Sequence, residues 1–580
     1  MSAVVPVRLV RAASLAELRA AGRLVVHLDR HTICVFAEGD LVHAVDNRCP
    51  HMGFPLHRGT VCDGILTCHW HHARFDLATG GTFDQWADEL RRFPVELDGD
   101  DVLVDLSPAH DAAAHQHKRL RDGLERNIPL VLAKATLTLR DTDPSGVDVF
   151  RAALDFGVAR RGGGWFRGLT TLTCLMNLAP RLDPGDRAAA LYHGAADVAS
   201  DSAMAPPRFP LEPLPGPAPP PERLTGWFRD FVEVRDAEGA ERALVSAVRG
   251  GASQGELTDM LFAAATDHRY LDGGHTLDFV NKALEALDLA GWQRGEQVLA
   301  SLPAQLAGAE RMEEANAWRN PFDVVAVLEE AFVELPQAVA AGAASRGRWT
   351  GRPALVETLL GDEAAPAVAA LLGALRKGAT SVDIASAVSF AAATRIARFP
   401  MSNEFGDWDT ALHTFTFANA VEQGLRRSAS VELLRGAFDA AMSVYLDRFL
   451  NVPATRLPAP DPTADPDALL DELPTLFGRQ QQVDEAGQLA TSFLGAGGEP
   501  ARLVAALGAA LVREDRNFHT IQCIEAAVRQ HERLAGADGA ALPLIAAARY
   551  LAAHATTTRS QRQTFEIARR LHRGEKLYED

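Results

Sequence analysis

The sequence has few cysteines, a shortage of positive charge and no long apolar runs, and each shortage excludes a class of protein. Its six cysteines are scattered along 580 residues, so we expect no disulfide framework. The formal net charge of -18 argues against a nucleic-acid-binding surface, which needs clustered Lys and Arg. No run of about eighteen apolar residues is present, and Met1 to Arg11 lacks the apolar core of a signal peptide. We therefore expect a cytoplasmic protein without a membrane span.

Two short motifs that combine Cys and His stand out from this background. Cys49-Pro50-His51 is followed, after sixteen residues, by Cys68-His69-Trp70-His71. Two thiolates and two imidazoles in tight loops suit a [2Fe–2S] cluster that has Cys on one iron and His on the other. The alternative is a tetrahedral zinc site, but zinc sites usually pair C-x-x-C with H-x3-5-H, whereas each motif here is mixed. The candidate cluster ligands are Cys49, His51, Cys68 and His71.

With these residues the N-terminal part resembles a Rieske iron–sulfur domain of the ferredoxin or oxygenase-associated type. The positions after His51 and Cys68 lack the extra Cys with which respiratory Rieske proteins form a disulfide. Short β-branched runs separated by Gly and Asp predict a small antiparallel all-β domain over residues 1–107. A short helix is expected over Ala12 to Gly22, with Ser14 as its N-cap. We interpret the flanking His57, His69 and His72 as exposed residues that cover the cluster.

After this domain the composition changes to Ala- and Leu-rich segments of helical spacing. Residues 108–580 are predicted to be a large all-α domain. Ala205 to Arg223 holds nine prolines, which predicts an extended, polyproline-like strap. A second extended crossing is expected at Val452 to Pro466. The fold class is therefore multidomain, a small β domain followed by a helical, repeat-like domain.

The helical part contains an internal repeat. Ala243 to Thr266 aligns with Ala370 to Thr394, each reading as a helix, a Gly turn and a second helix. A His-Thr dipeptide follows each copy, and a third occurs in a shortened copy, giving His275, His413 and His519. Each lies three or four residues after an Asp that could cap a helix, namely Asp272, Asp409 and Asp515. We expect each His in a first helical turn, where the helix dipole keeps imidazole neutral and able to bind metal.

Equivalent positions of stacked repeats can face one interior, so the three histidines are predicted to share a metal. The alternative is that His-Thr is only a helix-start preference shared by descent. His193, on an apolar helix and followed by Gly, is the candidate fourth ligand, and His268 competes for that role. Phe279, Phe415, Phe417, Phe518 and Trp408 around the His-Thr sites suggest an apolar, aromatic lining, although such residues are also ordinary core.

With its His-started helices the helical part resembles the questin oxidase-like family, whose members open rings of anthraquinone-type polyketides with O2. That family holds a non-haem iron with four histidines and an N-carboxylated lysine. The resemblance implies His193, His275, His413 and His519 as ligands, with Lys282 as the lysine. Lys282 lies two turns beyond His275, roughly 10 Å along the helix axis, so its extended side chain would have to reach back. A solvated Lys is the alternative.

Together these features predict an iron-dependent mono- or dioxygenase. We expect the Rieske cluster, reduced by an external flavin- or ferredoxin-type reductase, to pass electrons to a mononuclear non-haem iron that activates O2 for oxidation or ring cleavage of a hydrophobic, aromatic substrate. Ordinary Rieske oxygenases instead carry a D-x-x-H-x4-H triad on an α/β domain; Asp272 to His275 matches only its first half. The alternatives are an electron-transfer protein with a non-catalytic helical docking domain, and a scaffold with a regulatory redox sensor.

Overall fold

The computed structural model describes residues 8–107, 112–160, 164–428, 430–575 and 577. The chain divides into two compact units. Unit 1 comprises Met1–Val149 and Gln561–Asp580, and unit 2 comprises Phe150–Ser560.

The described residues of unit 1 form ten antiparallel strands, which confirms the small all-β domain. They form three sheets, with strand orders β1-β10-β9, β2-β3-β4-β8 and β5-β6-β7. The strands are β1 Leu9–Ser14, β2 Arg23–Leu28, β3 His31–Glu38, β4 Leu41–Asp46, β5 Thr60–Cys62, β6 Ile65–Thr67, β7 Arg74–Asp76, β8 Arg92–Phe93, β9 Val95–Asp98 and β10 Asp101–Asp105. One buried core lies between the first two sheets, and a second surrounds the loops that carry the Cys and His motifs.

The predicted short helix is α1, Leu15–Ala21, and its N-cap is Ser14 as expected. The Ser14 hydroxyl accepts a hydrogen bond of 3.1 Å from the backbone N–H of Glu17. Residues before it form β1 rather than the start of the helix, because they pair with β10. This pairing joins residues about ninety positions apart, which local sequence patterns do not report.

The described residues after β10 are helical, as predicted. The helices are α2 Ala112–Arg126, α3 Pro129–Thr142, α4 Val147–Arg160, α5 Arg167–Leu178, α6 Pro184–Asp201, α7 Pro221–Glu233, α8 Ala237–Arg249, α9 Gln254–Asp267, α10 His275–Ala290, α11 Gly295–Leu299, α12 Pro303–Gly308, α13 Asn316–Arg319, α14 Val324–Gly342, α15 Arg352–Leu359, α16 Ala364–Arg376, α17 Ser381–Ala397, α18 Phe405–Arg427, α19 Val431–Leu446, α20 Pro466–Leu476, α21 Val483–Gly495, α22 Pro500–Val512, α23 Phe518–Arg533, α24 Leu542–Ala553 and α25 Ser560–His572. In the part of the chain that the structure describes, no helix is both long enough and apolar enough to cross a membrane.

The boundary between the compact units differs from the predicted boundary after residue 107. Helices α2 and α3 belong to unit 1, because their side chains contact the β domain. Arg119 of α2 pairs with Asp88 at 2.6 Å, and Lys134 of α3 donates to the carbonyl of Pro50. The last residue of α25, His572, lies 3.1 Å from Asp141 of α3. These contacts join residues that are far apart in the chain, so the composition change after residue 107 did not reveal them.

Unit 2 contains the predicted helix–turn–helix copies. The first is α8 and α9, and the second is α16 and α17. The second helix of each copy begins with a reciprocal capping box, Ser253 with Glu256 in one and Thr380 with Asp383 in the other. The same local chemistry therefore starts the equivalent helix of both copies.

The Pro-rich strap has neither helix nor strand from residue 205 to residue 220, as predicted, and α7 begins at Pro221. It lies along α8: Leu214 N–H donates to Ser246 Oγ at 2.9 Å, and Arg208 pairs with Glu241 at 2.5 Å. Prolines supply no backbone N–H, so the strap is fixed by a few side-chain bonds and by the bond from Arg208 N–H to the Ala159 carbonyl at 2.7 Å.

Candidate metal centres

Two neighbouring loops of unit 1 carry the Cys and His motifs. The first follows β4 and is closed by backbone bonds from Leu56 N–H to the Asn47 carbonyl, 2.7 Å, and from Cys49 N–H to the Phe54 carbonyl, 2.8 Å. The second connects β6 to β7, where Cys68 N–H donates to the Ala73 carbonyl at 2.8 Å. Both loops are therefore held by their own backbone, which presents the side chains in fixed positions.

Across the two loops, Cys49 faces Cys68 and His51 faces His71. The thiols of Cys49 and Cys68 are buried and hydrogen-bonded to each other. The rings of His51 and His71 lie 4.8 Å apart, nearly perpendicular. A pair of thiols beside a pair of imidazoles is the donor set that a cluster with Cys on one iron and His on the other requires.

The electrostatics of these side chains also suit metal binding. The hydrogen bond from Cys49, with backbone N–H groups, lowers the pKa of Cys68 to about 6, which favours the thiolate. Burial, together with His71 and Lys134, lowers the pKa of His51 to about 4, so its ring is neutral at pH 7. Its Nδ1 is buried and no protein group bonds to it, which fits a ligand atom.

The three histidines that flank these ligands differ from one another. His69 and His72 are exposed, as predicted. His57 is not an exposed cover residue, because it is partly buried and its backbone N–H donates to Asn47 Oδ1 at 2.8 Å. Its ring Nδ1 also lies 3.0 Å from the Asn47 amide. His57 therefore braces the first loop, which corrects its assignment.

In unit 2 the structure brings His275, His413 and His519 together. One nitrogen of each lies within 4.8 Å of the other two, and Nε2 of His413 is 3.1 Å from Nε2 of His519. The rings come from α10, α18 and α23, and α18 packs against both other helices. Among the described residues this is the only such group of three potential ligands.

The predicted position in the first turn of a helix holds for two of the three histidines. His275 and His519 lie in the first turns of α10 and α23, but the caps are Gly274 and Asn517 rather than Asp272 and Asp515. His413 lies well inside α18, which begins at Phe405. A helix N-terminus cannot act on His413, so the helix-start explanation is wrong for this residue.

Burial is the largest cause that keeps the rings of His275 and His413 neutral. It lowers the pKa of His275 to about 4, with a contribution from His519. It lowers the pKa of His413 to about 3, with contributions from His275 and His519. Both rings are therefore uncharged at pH 7 and able to bind a cation.

Asp409 is a supporting residue that was predicted only as a helix cap. It lies one turn before His413, and its carboxylate is 3.5 Å from Nδ1 of His519 and accepts a 2.6 Å bond from the Tyr550 hydroxyl. A carboxylate at the second nitrogen orients a metal-bound imidazole. The spacing D-x3-H, which places both residues on one helix face, was the available sequence signal.

Aromatic rings line one side of the three histidines. Phe279 stacks on His275 with ring centres 5.5 Å apart, and Phe518 is 5.4 Å from His275 and 4.0 Å from His519. The other aromatic residues of the predicted lining lie in ring clusters with other residues or in the core; they are Phe415, Phe417 and Trp408. Of the five aromatic residues predicted to line the site, only Phe279 and Phe518 therefore lie beside the histidines.

The two candidates for a fourth His ligand do not join this group. His193 is buried on α6 beside the Tyr192 ring, and the group of three does not include it. His268 lies between two carboxylates, 2.9 Å from Glu233 and 2.7 Å from Glu313. The four-histidine set implied by the resemblance is thus not assembled here.

Lys282 is fully buried and is held by carboxylates rather than by the histidines. Its Nζ lies 3.0 Å from Glu285 and 2.6 Å from Glu525, and Arg529 donates to Glu525 at 2.8 Å. Burial alone would lower the pKa of Lys282, but Cys174, Glu285 and Glu525 raise it above its usual value. A protonated ammonium does not react with CO2, so this environment opposes an N-carboxylated ligand. The ion-pair role corrects the predicted one.

The network beneath the histidines was missed, although α10 and α23 carry its signal. Asp278, Lys282 and Glu285 recur at helical spacing after His275, and Gln522 and Glu525 do so after His519. Asn177 of α5 donates to both Glu285 and Glu525, at 2.7 and 3.0 Å. Burial raises the pKa of Asp278 to about 8, so its carboxyl is largely protonated at pH 7.

The buried ion pairs predict the effect of removing Lys282. Lys282→Met leaves Glu285 and Glu525 without their cation, and the free energy of unfolding should fall by about 3–5 kcal/mol in urea titrations. Lys377→Met, at an exposed position after α16, should change it by less than about 0.5 kcal/mol. An unchanged free energy of unfolding in Lys282→Met would contradict the ion-pair role of Lys282.

Comparisons with known proteins identify the family of the N-terminal part. The family model "Rieske [2Fe-2S] domain" matches residues 8–94. The biphenyl 2,3-dioxygenase ferredoxin component of Rhodococcus jostii is 39% identical over 75 residues, which is 13% of this chain and 70% of that protein. Human apoptosis-inducing factor 3 is 38% identical over 66 residues, 11% of each chain.

Among solved structures, the ferredoxin of carbazole 1,9a-dioxygenase from Nocardioides aromaticivorans matches at 29% identity, covering 17% of this chain and 95% of that one, with a TM-score of 0.16. The chain thus spans only about a tenth of the human and mouse apoptosis-inducing factor 3 proteins that it matches. The family-model match covers most of the β domain and both loops that carry the Cys and His motifs. Through residues 8–94, this chain belongs to the Rieske [2Fe-2S] domain family.

Proposed function

We propose that this protein is an oxygenase in which the Rieske domain supplies electrons to a non-haem iron held by His275, His413 and His519. The observation that carries this proposal is the convergence of three imidazoles, with two Nε2 atoms 3.1 Å apart. Two nitrogens that bind one ion at about 2.1 Å, at angles between octahedral and tetrahedral, lie about 3.0–3.4 Å apart. The separation therefore fits a shared metal, and without a metal the same two nitrogens form a hydrogen bond.

The choice of iron rests on the Rieske domain in the same chain. Imidazole ligands suit zinc, copper, nickel and iron alike, so the ligands alone do not identify the metal. Zinc has no redox chemistry, so it cannot accept an electron from a one-electron carrier. A bound ferrous ion with three protein ligands would supply O2 activation, because it keeps open positions for oxygen.

The protein's own groups would provide binding, orientation and exclusion of water. The neutral rings donate nitrogen lone pairs, and Asp409 fixes the orientation of His519. Phe279 and Phe518 make the side next to His275 apolar, which favours a hydrophobic, aromatic substrate. The matched ferredoxins are named as components of biphenyl and carbazole dioxygenases, which supports an electron supply to aromatic oxidation.

In the Rieske domain, Cys49, His51, Cys68 and His71 would hold the [2Fe–2S] cluster, which supplies one-electron transfer when bound. An external reductase of the flavin or ferredoxin type would reduce it. Exposed His71 beside the half-exposed Trp70 ring, at 4.5 Å, gives an electron a short route to the surface. The resemblance to the questin oxidase-like family supports ring oxidation with O2 but extends only to the three histidines.

The second candidate is an electron-transfer protein whose helical unit only docks partners. It is favoured by the comparisons, since the matched relatives include whole ferredoxin components and the match is confined to the Rieske segment. The two candidates differ in metal content. A carrier holds about two irons per chain, and the oxygenase about three.

The cluster ligands can be tested by spectroscopy. The reduced protein should show a rhombic Rieske-type EPR signal, which Cys49→Ser or His71→Ala should abolish, because each removes a donor of the cluster. His69→Ala and His72→Ala are the matched controls, and both should keep the signal because these exposed rings lie outside the ligand spacing. A protein that contains zinc and no visible absorbance would contradict the assignment.

The histidine site can be tested by metal analysis. Wild-type protein expressed with ample iron should contain about three irons per chain, and His413→Ala about two, with an unchanged EPR signal. His531→Ala is the control on the same helix as His519, since its Nδ1 is occupied by the Ala540 carbonyl at 2.7 Å. Two irons in the wild type would favour the carrier.

Electron flow separates the two candidates independently. After anaerobic reduction, mixing with O2 should reoxidise the cluster at least about tenfold faster in the wild type than in His413→Ala, because the iron is the electron acceptor. Stopped-flow absorbance of the cluster measures both rates. Equal rates, with iron present at the histidines, would mean that the two centres do not exchange electrons.

A further inference from the structure

Lys134, on α3, lies against the first cluster loop. Its Nζ donates to the Pro50 carbonyl and lies 3.3 Å from the carbonyl of His51. Both carbonyls belong to the segment that carries the candidate ligands Cys49 and His51. Helix α3 lies outside residues 8–94, so Lys134 is an addition to the matched Rieske domain.

Lys134 forms no ion pair with the described residues. Burial lowers its pKa, while Asp88 and Cys49 oppose that shift. The nearest acidic groups have other partners: Asp88 pairs with Arg119 at 2.6 Å, and Glu89 lies 3.8 Å from Lys118. Lys134 is partly buried and lines a cleft of about 210 Å³ together with Cys49, Pro50 and Asp88. A charge at such a position is screened less than one on the open surface.

We infer that Lys134 sets the reduction potential of the cluster held by these loops. Two ferric ions, two sulfides, two thiolates and two neutral imidazoles carry no net charge, and one added electron makes the assembly negative. A lysine ammonium that donates to the loop carbonyls therefore favours the reduced form and raises the potential. Lys134 exchanges no electron with the cluster, and it acts through its charge and its hydrogen bonds. The inference rests on the Rieske domain and not on the histidine site of unit 2.

The hydrogen bonds act in the same direction as the charge. A donor that polarises the carbonyls of Pro50 and His51 withdraws electron density from the loop around the ligands. Charge and hydrogen bonding can be separated by substitution. Arginine keeps the charge, glutamine keeps only a donor, and methionine keeps neither.

The test is a redox titration of the full-length protein, followed by the EPR signal of the reduced cluster. At a fixed ambient potential, Lys134→Met should lower the ratio of reduced to oxidised cluster by about tenfold, a shift of about 59 mV for a one-electron couple. Lys134→Arg should remain near the wild type. If Lys134→Met does not retain its cluster, the Lys134→Gln protein is titrated instead. Glutamine keeps a hydrogen-bond donor but not the charge, so the reduction potential should still fall by most of the shift expected for Lys134→Met.

Lys118→Met is the matched control. It removes the same charge from the same unit, but Lys118 is 64% exposed, so the potential should hardly move. A wild-type potential in a cluster-loaded Lys134→Met or Lys134→Gln protein would overturn the inference. An equal shift in Lys118→Met would also overturn it, since net charge rather than this position would then be responsible. Neither outcome depends on iron at His275, His413 and His519.

Discussion

The site in unit 2 depends on one constraint, which is that three imidazoles lie together at one half-buried point. Protonation of any two of them would place like charges within a few ångströms, in a region that already disfavours charge. The depressed pKa values of His275 and His413 show that burial resolves this conflict by keeping the rings neutral. Neutral rings can bind one cation together, as we propose, or share a proton, as the 3.1 Å separation of His413 Nε2 and His519 Nε2 also allows. The packing of α18 against α10 and α23 is what holds the rings in this arrangement.

The buried ion pairs below the histidines fix the same helices. Lys282 of α10 binds Glu525 of α23, and Asn177 of α5 donates to carboxylates on both helices. Sliding α10 against α23 by one residue would separate these partners and leave buried charges unpaired, at a cost of several kcal/mol. The network therefore sets the register in which His275 and His519 face each other. Its role is to position the ligands rather than to add one.

Predictions from local spacing agreed best with the structure. The two mixed Cys and His motifs, the strands between them and the Ser14 cap depend on residues close in the chain, and the structure places them as expected. The convergence of the three histidines followed from the repeat, although its stated cause was wrong for His413, which lies inside α18. Cap residues reveal where a helix can begin, but α18 begins two turns before its His-Thr pair.

The remaining features depend on contacts between distant segments. Lys282 was assigned as a ligand because only its own helix was visible in the sequence, whereas its partner Glu525 lies 243 positions away. His193 was chosen for its apolar helix, and burial alone does not bring a ring to a metal. The compact unit extends past residue 107 because Arg119 and Lys134 reach back to the β domain. Helical spacing shows which of these residues share a helix face, but one sequence does not show which distant residue each of them contacts.

Anomalous diffraction at the iron absorption edge tests the central claim most directly. Crystals of protein produced with ample iron should show one peak among the ligand nitrogens of His275, His413 and His519, and a separate pair of irons between the two cluster loops. Data on the two sides of the zinc edge identify the metal. A crystal with the pair of irons but no iron at the three histidines, or with zinc there instead, would contradict the account.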